Sequence, residues 1–140
     1  RQMACSGYDV SYCIFYKSDS NLLKNALDVK IINFNIKIES NFLKRYIKLL
    51  TIGLNNLYCH FKKEKYDYVV SFSQTTLYII VPLKFILGYK LIVSERGDPY
   101  TYSGFFDKIR RKLYKFSDIL VFQTFGARNY FSLNSVLLYQ

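Results

Sequence analysis

Three short apolar runs, Tyr68-Val-Val-Ser-Phe72, Tyr89-Lys-Leu-Ile-Val93 and Ile119-Leu-Val-Phe122, are separated by stretches whose apolar residues recur at helical spacing. Runs of this kind alternating with helical patterns predict a parallel sheet, because parallel neighbours need a crossover of a dozen or more residues between them. Parallel strands buried on both faces read as continuous apolar runs. No other feature constrains the fold class as tightly: the chain is α/β, with right-handed crossovers as the expected connection. The same pattern also locates function, since ligands in open α/β sheets bind just beyond the carboxyl ends of the strands.

The remaining elements follow from periodicity. Ser6-Gly7 is a turn signal ahead of a strand between Tyr8 and Tyr16, and Val29 to Phe34 is a second strand candidate. Lys17 to Leu27 is polar and reads as a loop; Ile36 to Glu39 alternates and either extends the second strand or leaves it. From Ser40 a long helix is expected, with Leu43, Ile47, Leu50, Leu54, Leu57 and Phe61 on one stripe. Ser40 or Asn41 is its N-cap, and Lys62, Lys63 and Lys65 suit the negative end of its dipole. Phe42, Tyr46 and Leu49 widen the apolar face, so the helix either covers a sheet or lies at a membrane interface, with Lys44, Arg45 and Lys48 as basic contacts. A helix from about Thr75 to Leu87 stops at Gly88. Another from about Gly104 to Phe116 turns Phe105, Phe106, Ile109, Leu113 and Phe116 inward and Lys108, Arg110, Arg111, Lys112 and Lys115 outward. A short helix near Ala127 to Phe131 precedes a last strand beginning at Val136 to Leu138.

Composition narrows the class. With 140 residues, 51% of them hydrophobic, the chain has room for one domain with a core and is not a disordered polymer. Three cysteines, Cys5, Cys13 and Cys59, are odd in number and lack metal spacing, which favours a reducing compartment over a disulfide scaffold. His60 beside Cys59 has no second histidine to complete a zinc site. No metal or other cofactor is expected. The first residues lack the apolar core of a secretory signal. Leu77 to Val93 is interrupted by Pro82, Lys84, Gly88 and Lys90, and a membrane span wants about 20 predominantly apolar residues. The net charge of +10 favours polyanionic partners, although the lysine excess also fits an overall compositional bias.

The polar residues that follow the strands are the candidate site. After Leu91-Ile-Val93 come Ser94, Glu95, Arg96, Gly97 and Asp98 with no hydrophobic spacer. A solvated turn with a Glu/Arg ion pair explains this cluster as readily as a binding site does. Ser71, Ser73 and Gln74 after one strand, and Gln123 and Thr124 after another, reach the same edge in a parallel sheet. Together they define a crevice, though Ser73, Thr75 and Thr124 also suit the caps that helix N-termini need. Other chemistries lack their residues. Neither GxGxxG nor GxxxxGK[ST] occurs, and the single histidine falls on the long helix, away from the strand ends. The basic Lys108 to Lys115 helix has its aromatics assigned to the core, which argues against nucleic acid.

These residues resemble the N-terminal domain of family-4 glycosyltransferases, in the branch carrying a Ser-Glu-Arg-(Asn/Gly)-Asp-Pro loop. The likeness runs through Tyr68-Val-Val-Ser-Phe72, Gly88-Tyr-Lys-Leu-Ile-Val-Ser-Glu-Arg-Gly-Asp-Pro99, Arg110 to Asp118, Ile119 to Thr124, Ala127 and Tyr130-Phe131, with Ser6-Gly-Tyr-Asp-Val10 at an earlier strand entry. Residues 17 to 64 carry little of it. The resemblance implies a Rossmann-like parallel sheet flanked by helices, the N-terminal half of a GT-B fold. Residues 1–140 would then be one incomplete domain, lacking its first strand and the donor-binding C-terminal domain. It further implies a retaining enzyme of bacterial surface polysaccharide synthesis, moving sugar from a nucleotide-sugar donor to a glycan or lipid-linked acceptor. Many relatives place a functional histidine in the cleft loop, which here holds Glu95, Arg96 and Asp98 instead. On this reading those three act in catalysis, with Arg96 suited to phosphate, while Ser71, Ser73, Gln74, Ser94, Gly97, Gln123 and Thr124 line the substrate cleft. A cytoplasmic enzyme, peripheral on the inner face of the plasma membrane, would use Lys44, Arg45, Lys48, Lys108, Arg111, Lys112 and Lys115 against anionic lipid. The alternative is a non-catalytic basic α/β module that binds anionic membrane or nucleic acid.

Overall fold

The computed structural model describes residues 6–16, 29–72, 74–96, 105–131 and 138–139. Parallel strands lie in two small open sheets flanked by helices, where the sequence pattern predicts a single sheet. The chain divides into two compact units, Arg1–Leu57 and Tyr58–Gln140.

In the first unit β1 (Ser11–Tyr16) pairs in parallel with β2 (Lys30–Ile36). The register runs evenly from Ser11↔Lys30 to Ile14↔Asn33 and then jumps to Tyr16↔Ile36. The cause is Asn35, whose φ of 51° lies in the left-handed region, with its N–H donated to Asn33 Oδ1 at 2.9 Å. Asparagine tolerates that conformation because its short side chain and its neighbours' can bond locally. The extra residue is thereby absorbed as a bulge.

Helix α1 (Phe42–Lys48) begins at Asn41, whose Oδ1 accepts from the N–H groups of Leu43 and Lys44 at 2.9 and 3.4 Å. It runs into one π-helical turn (Leu49–Gly53) and then α2 (Leu54–Glu64). The expected apolar stripe is corrected here. Leu43, Ile47 and Leu50 are exposed, and burial falls on Leu49, Gly53, Leu57 and Phe61. A Cβ on Gly53 would meet Leu49, Ile36 and Phe15 side chains at 3.2 to 3.5 Å, so the glycine lets this face approach the strands closely. The π turn also inserts a residue relative to α-helical spacing and shifts the phase of the stripe.

The second unit holds β3 (Tyr68–Ser71), α3 (Leu77–Leu87), β4 (Lys90–Glu95), α4 (Phe105–Tyr114), β5 (Ile119–Phe122), α5 (Phe125–Phe131) and β6 (Leu138–Tyr139). All three pairings in the order β3-β4-β5-β6 are parallel. Leu77, Ile79, Leu83 and Leu91 are almost wholly buried, and each such side chain contributes about 1.5–3 kcal/mol of transfer free energy. That burial offsets the hydrogen bond lost at Pro82 inside α3. Gly88, at φ 77°, ends α3 by donating its N–H to Lys84 O at 2.8 Å. Among the described residues, no helix is long and apolar enough to cross a membrane.

Helix α4 presents its faces differently from the pattern in the sequence. Arg110, expected outward, is buried, whereas Phe105 and Phe116, expected inward, are 72% and 45% exposed. Tyr114 takes the interior position instead, against Phe131 at 5.3 Å between ring centroids. Arg110 and Tyr114, four residues apart, share one helix face. That face turns to the carboxyl end of β4.

Candidate functional site

Strand β4 continues two residues past its apolar run, so Ser94 and Glu95 belong to the strand and not to the loop. Glu95 pairs in register with Phe122 on β5, while Ser71 on β3 pairs with Val93. Alternation along the strand turns Glu95 to the same face as Leu91 and Val93, which are both buried. The result is a carboxyl side chain only 1% exposed at the end of a central strand.

A charged group so placed needs partners, and three side chains supply them. Gln74 Nε2 donates to Glu95 Oε1 at 2.6 Å, and the Tyr114 hydroxyl donates to Oε2. Arg110 Nη1 lies 3.9 Å from the same Oε2, its own side chain 4% exposed. Behind it the Arg110 guanidinium sits 5.0 Å from the Phe131 ring centroid, and Phe131 stacks on Phe122 at 5.6 Å. The cluster ties the turn after β3, the end of β4 and helix α4 into one buried polar junction. Both Glu95 oxygens are occupied from within the protein. Its direct chemical capacity is therefore small, and its capacity to fix the backbone that leads into the next residue is large.

That next residue is Arg96, which is exposed. Its guanidinium lies 4.6 Å from the ring centroid of Phe72, the residue that follows β3 and is itself 47% exposed. A guanidinium over an aromatic face keeps its N–H donors directed outward in the ring plane's direction, available to an anion. Ser71 is buried and shares a hydrogen bond with Thr76 at 2.7 Å, so it joins β3 to the entry of α3. Ser94 is half-buried. Gln123 and Thr124 are exposed beyond β5, and Thr124 Oγ1 accepts from the Ala127 N–H at 3.1 Å as the cap of α5. Ser73, Gly97 and Asp98 lie outside the described residues.

The structure therefore brings together Gln74, Glu95 and, one residue on, Arg96, and gives Ser71 and Thr124 helix-entry bonds. Sequence reasoning missed Arg110 and Tyr114. Their signal was present: a tyrosine four residues after an arginine on an otherwise apolar helix face needs a partner for its hydroxyl.

The candidate membrane contacts fall in both units. In the first unit Lys48 is paired with Glu39, whose carboxyl is held below its usual range by that hydrogen bond and charge. Arg45 donates to Tyr16 Oη at 3.3 Å, with its guanidinium 4.8 Å from that ring centroid; Lys44 is exposed. In the second unit Arg111 lies over Tyr130 at 4.2 Å, and Lys108, Lys112 and Lys115 are exposed. His60 Nε2 is 2.8 Å from the Tyr66 hydroxyl. Burial pushes the Cys13 thiol up to about 11, far from a reactive thiolate. Among the described residues no group of three or more His, Cys, Asp or Glu side chains could hold a metal ion.

No protein-family model matches this chain, and no curated protein matches it.

Proposed function

We propose that this chain is the acceptor-side half of a retaining glycosyltransferase with a GT-B fold, moving a sugar from a nucleotide-sugar to a glycan or lipid-linked acceptor. The observation that carries the reading is the edge formed by β3, β4 and β5. Three adjacent parallel strands end with Gln74, Glu95–Arg96 and Gln123 in succession, the position at which open α/β sheets bind ligands. The Ser-Glu-Arg-Gly-Asp-Pro sequence at the middle strand supplies the family resemblance. Within this reading Arg96 contacts a phosphate or sugar oxygen, and Glu95 acts through it by holding the end of β4. Donor binding belongs to a second domain downstream, so the 140-residue chain alone does not turn over. The enzyme works at the inner face of the plasma membrane.

The test is sugar transfer by the chain extended through its downstream reading frame, measured as release of nucleoside diphosphate with a lipid-linked acceptor. Arg96→Ala should lower transfer at least about a hundredfold, the loss seen when one preorganised charge-stabilising donor is removed. Unchanged transfer in that variant overturns the site, and transfer by the 140-residue chain alone overturns the division of labour. If the extended chain transfers no sugar from any nucleotide-sugar, the transferase reading itself fails.

A further inference from the structure

In a parallel α/β unit the helix carboxyl ends gather at the edge where the strands begin, opposite the candidate site. In the second unit that edge has an unusual surface. Phe85 and Ile86, in the last turn of α3, are 67% and 66% exposed, and Phe116, just past α4, is 45% exposed. Phe85 and Phe116 meet edge to face at 5.4 Å between centroids, so the two helix ends present one continuous apolar patch. Lys90, at the start of β4, and Lys112 and Lys115, near the end of α4, are exposed around it. Among the described residues Lys112 and Lys115 form no ion pair. Among the described residues the acids at this edge are Asp118, which Lys84 engages at 2.6 Å and Lys90 approaches to 3.8 Å, and the exposed Glu64 and Asp67.

Lysines near helix carboxyl ends complement the dipole without any partner, but that does not account for three exposed apolar side chains among them. We propose that this amino-terminal edge of the four-stranded sheet docks on an anionic lipid bilayer, with Phe85, Ile86 and Phe116 at headgroup depth and Lys112 and Lys115 against lipid phosphates. Charge complementarity selects this occupant. A second copy would bring the same cations against these, and a net charge of +10 opposes that approach. Nucleic acid would use a ring face for base stacking and has no use for Ile86. Compact ammonium charges around buried apolar groups are the ingredients of interfacial binding. The exposed stripe of α1 is a weaker candidate: it has no aromatic among Leu43, Ile47 and Leu50, and Arg45 and Lys48 beside it are engaged by Tyr16 and Glu39. The docking rests on this surface and not on sugar transfer.

The test is co-sedimentation of the 140-residue chain with vesicles of phosphatidylglycerol and phosphatidylcholine, and with phosphatidylcholine alone, over a salt series. Binding should require the anionic lipid and weaken with salt. Lys112→Gln/Lys115→Gln should lower the partition coefficient about twenty-five-fold, at about fivefold per lysine. Phe85→Ser/Phe116→Ser should lower it about tenfold or more. Circular dichroism melts check that these surface variants stay folded. Equal binding to phosphatidylcholine alone, or parental binding by both variants, overturns the proposal. So does loss of binding in Leu43→Ser/Ile47→Ser instead, which assigns the contact to α1. Concentration-dependent self-association without vesicles, abolished by Phe85→Ser/Phe116→Ser, makes a second copy the occupant and overturns it equally.

Discussion

At each end of β4 one carboxylate joins several elements, Glu95 from the strand itself and Asp118 from the turn before β5, and the two solve the problem in opposite ways. At the carboxyl end Glu95 is 1% exposed and accepts from two uncharged groups, Gln74 and Tyr114, with Arg110 at 3.9 Å. At the amino end Asp118 is 29% exposed, and its Oδ2 accepts from Lys84 Nζ and the Leu91 N–H, both at 2.6 Å, with Lys90 3.8 Å from Oδ1. Lys84 also donates to Phe116 O at 2.7 Å, so this junction fixes the ends of α3 and α4 together. At the buried end the loss of a partner is expensive, since a charge there has no water to fall back on. The half-open end is a direct ion pair that water can partly replace.

Removing one partner should therefore cost most at the buried end. Glu95→Ala leaves the Arg110 guanidinium in the interior without its carboxylate, and breaking a buried pair in this way costs about 3–5 kcal/mol. Urea unfolding should show the loss as a lowered midpoint with an unchanged slope. The double variant Glu95→Leu/Arg110→Leu should recover much of it, because replacing both members of a buried pair by apolar residues is often near neutral. A Glu95→Ala chain as stable as the parent would break the comparison.

Asp118→Asn is expected to cost less, about 1–2 kcal/mol, a charge-assisted bond discounted for its exposure. It also has a pH signature. Burial raises the Asp118 pKa, but the Lys84 hydrogen bond, the Leu91 N–H and the charges of Lys84 and Lys90 outweigh it and hold the carboxyl below its ordinary value. The carboxylate is thus favoured more in the folded chain than in the unfolded one, whose aspartate titrates near about 3.9. Its stabilisation is fully present above that unfolded value and is lost as pH falls through the lower folded one. Unfolding free energy measured from about pH 5 downward should fall more steeply in the parent than in Asp118→Asn. Parallel curves for the two would remove Asp118 from the account.

The two ends were not equally legible in the sequence. The apolar runs at Leu91–Val93 and Ile119–Phe122 predict strands that are present, because burial on both faces leaves an unbroken apolar signature. The Gly88 stop and the Asn41 cap are likewise local, each set by one residue's conformational or hydrogen-bonding preference. Glu95 was legible as a charged residue following an apolar run, but its burial depended on Tyr114 and Arg110, about one helix away in sequence. Reading Arg110 as outward followed from counting charge as exposure, which fails when a carboxylate waits inside. Leu43, Ile47 and Leu50 failed for a related reason. Helical period alone cannot say which of two apolar stripes faces the strands, and Gly53, which settles it by permitting close approach, contributes nothing to an apolar count.

The smallest effect on stability is expected at Arg96, one residue from the largest. Glu95 and Arg96 are adjacent in sequence, yet Glu95 is buried as the last residue of β4 and Arg96, just past the strand, is exposed. Arg96 rests on Phe72 at 4.6 Å, and an exposed cation–π contact contributes only about 0.5–1 kcal/mol. Arg96→Ala should therefore leave the urea midpoint nearly where it was, with a loss of about 0.5 kcal/mol and an unchanged slope. The contrast between the neighbours is what separates a residue that holds the strand end from one that the strand end presents. A loss in Arg96→Ala approaching that of Glu95→Ala would place the guanidinium in the buried junction and leave the exposed edge without its cation.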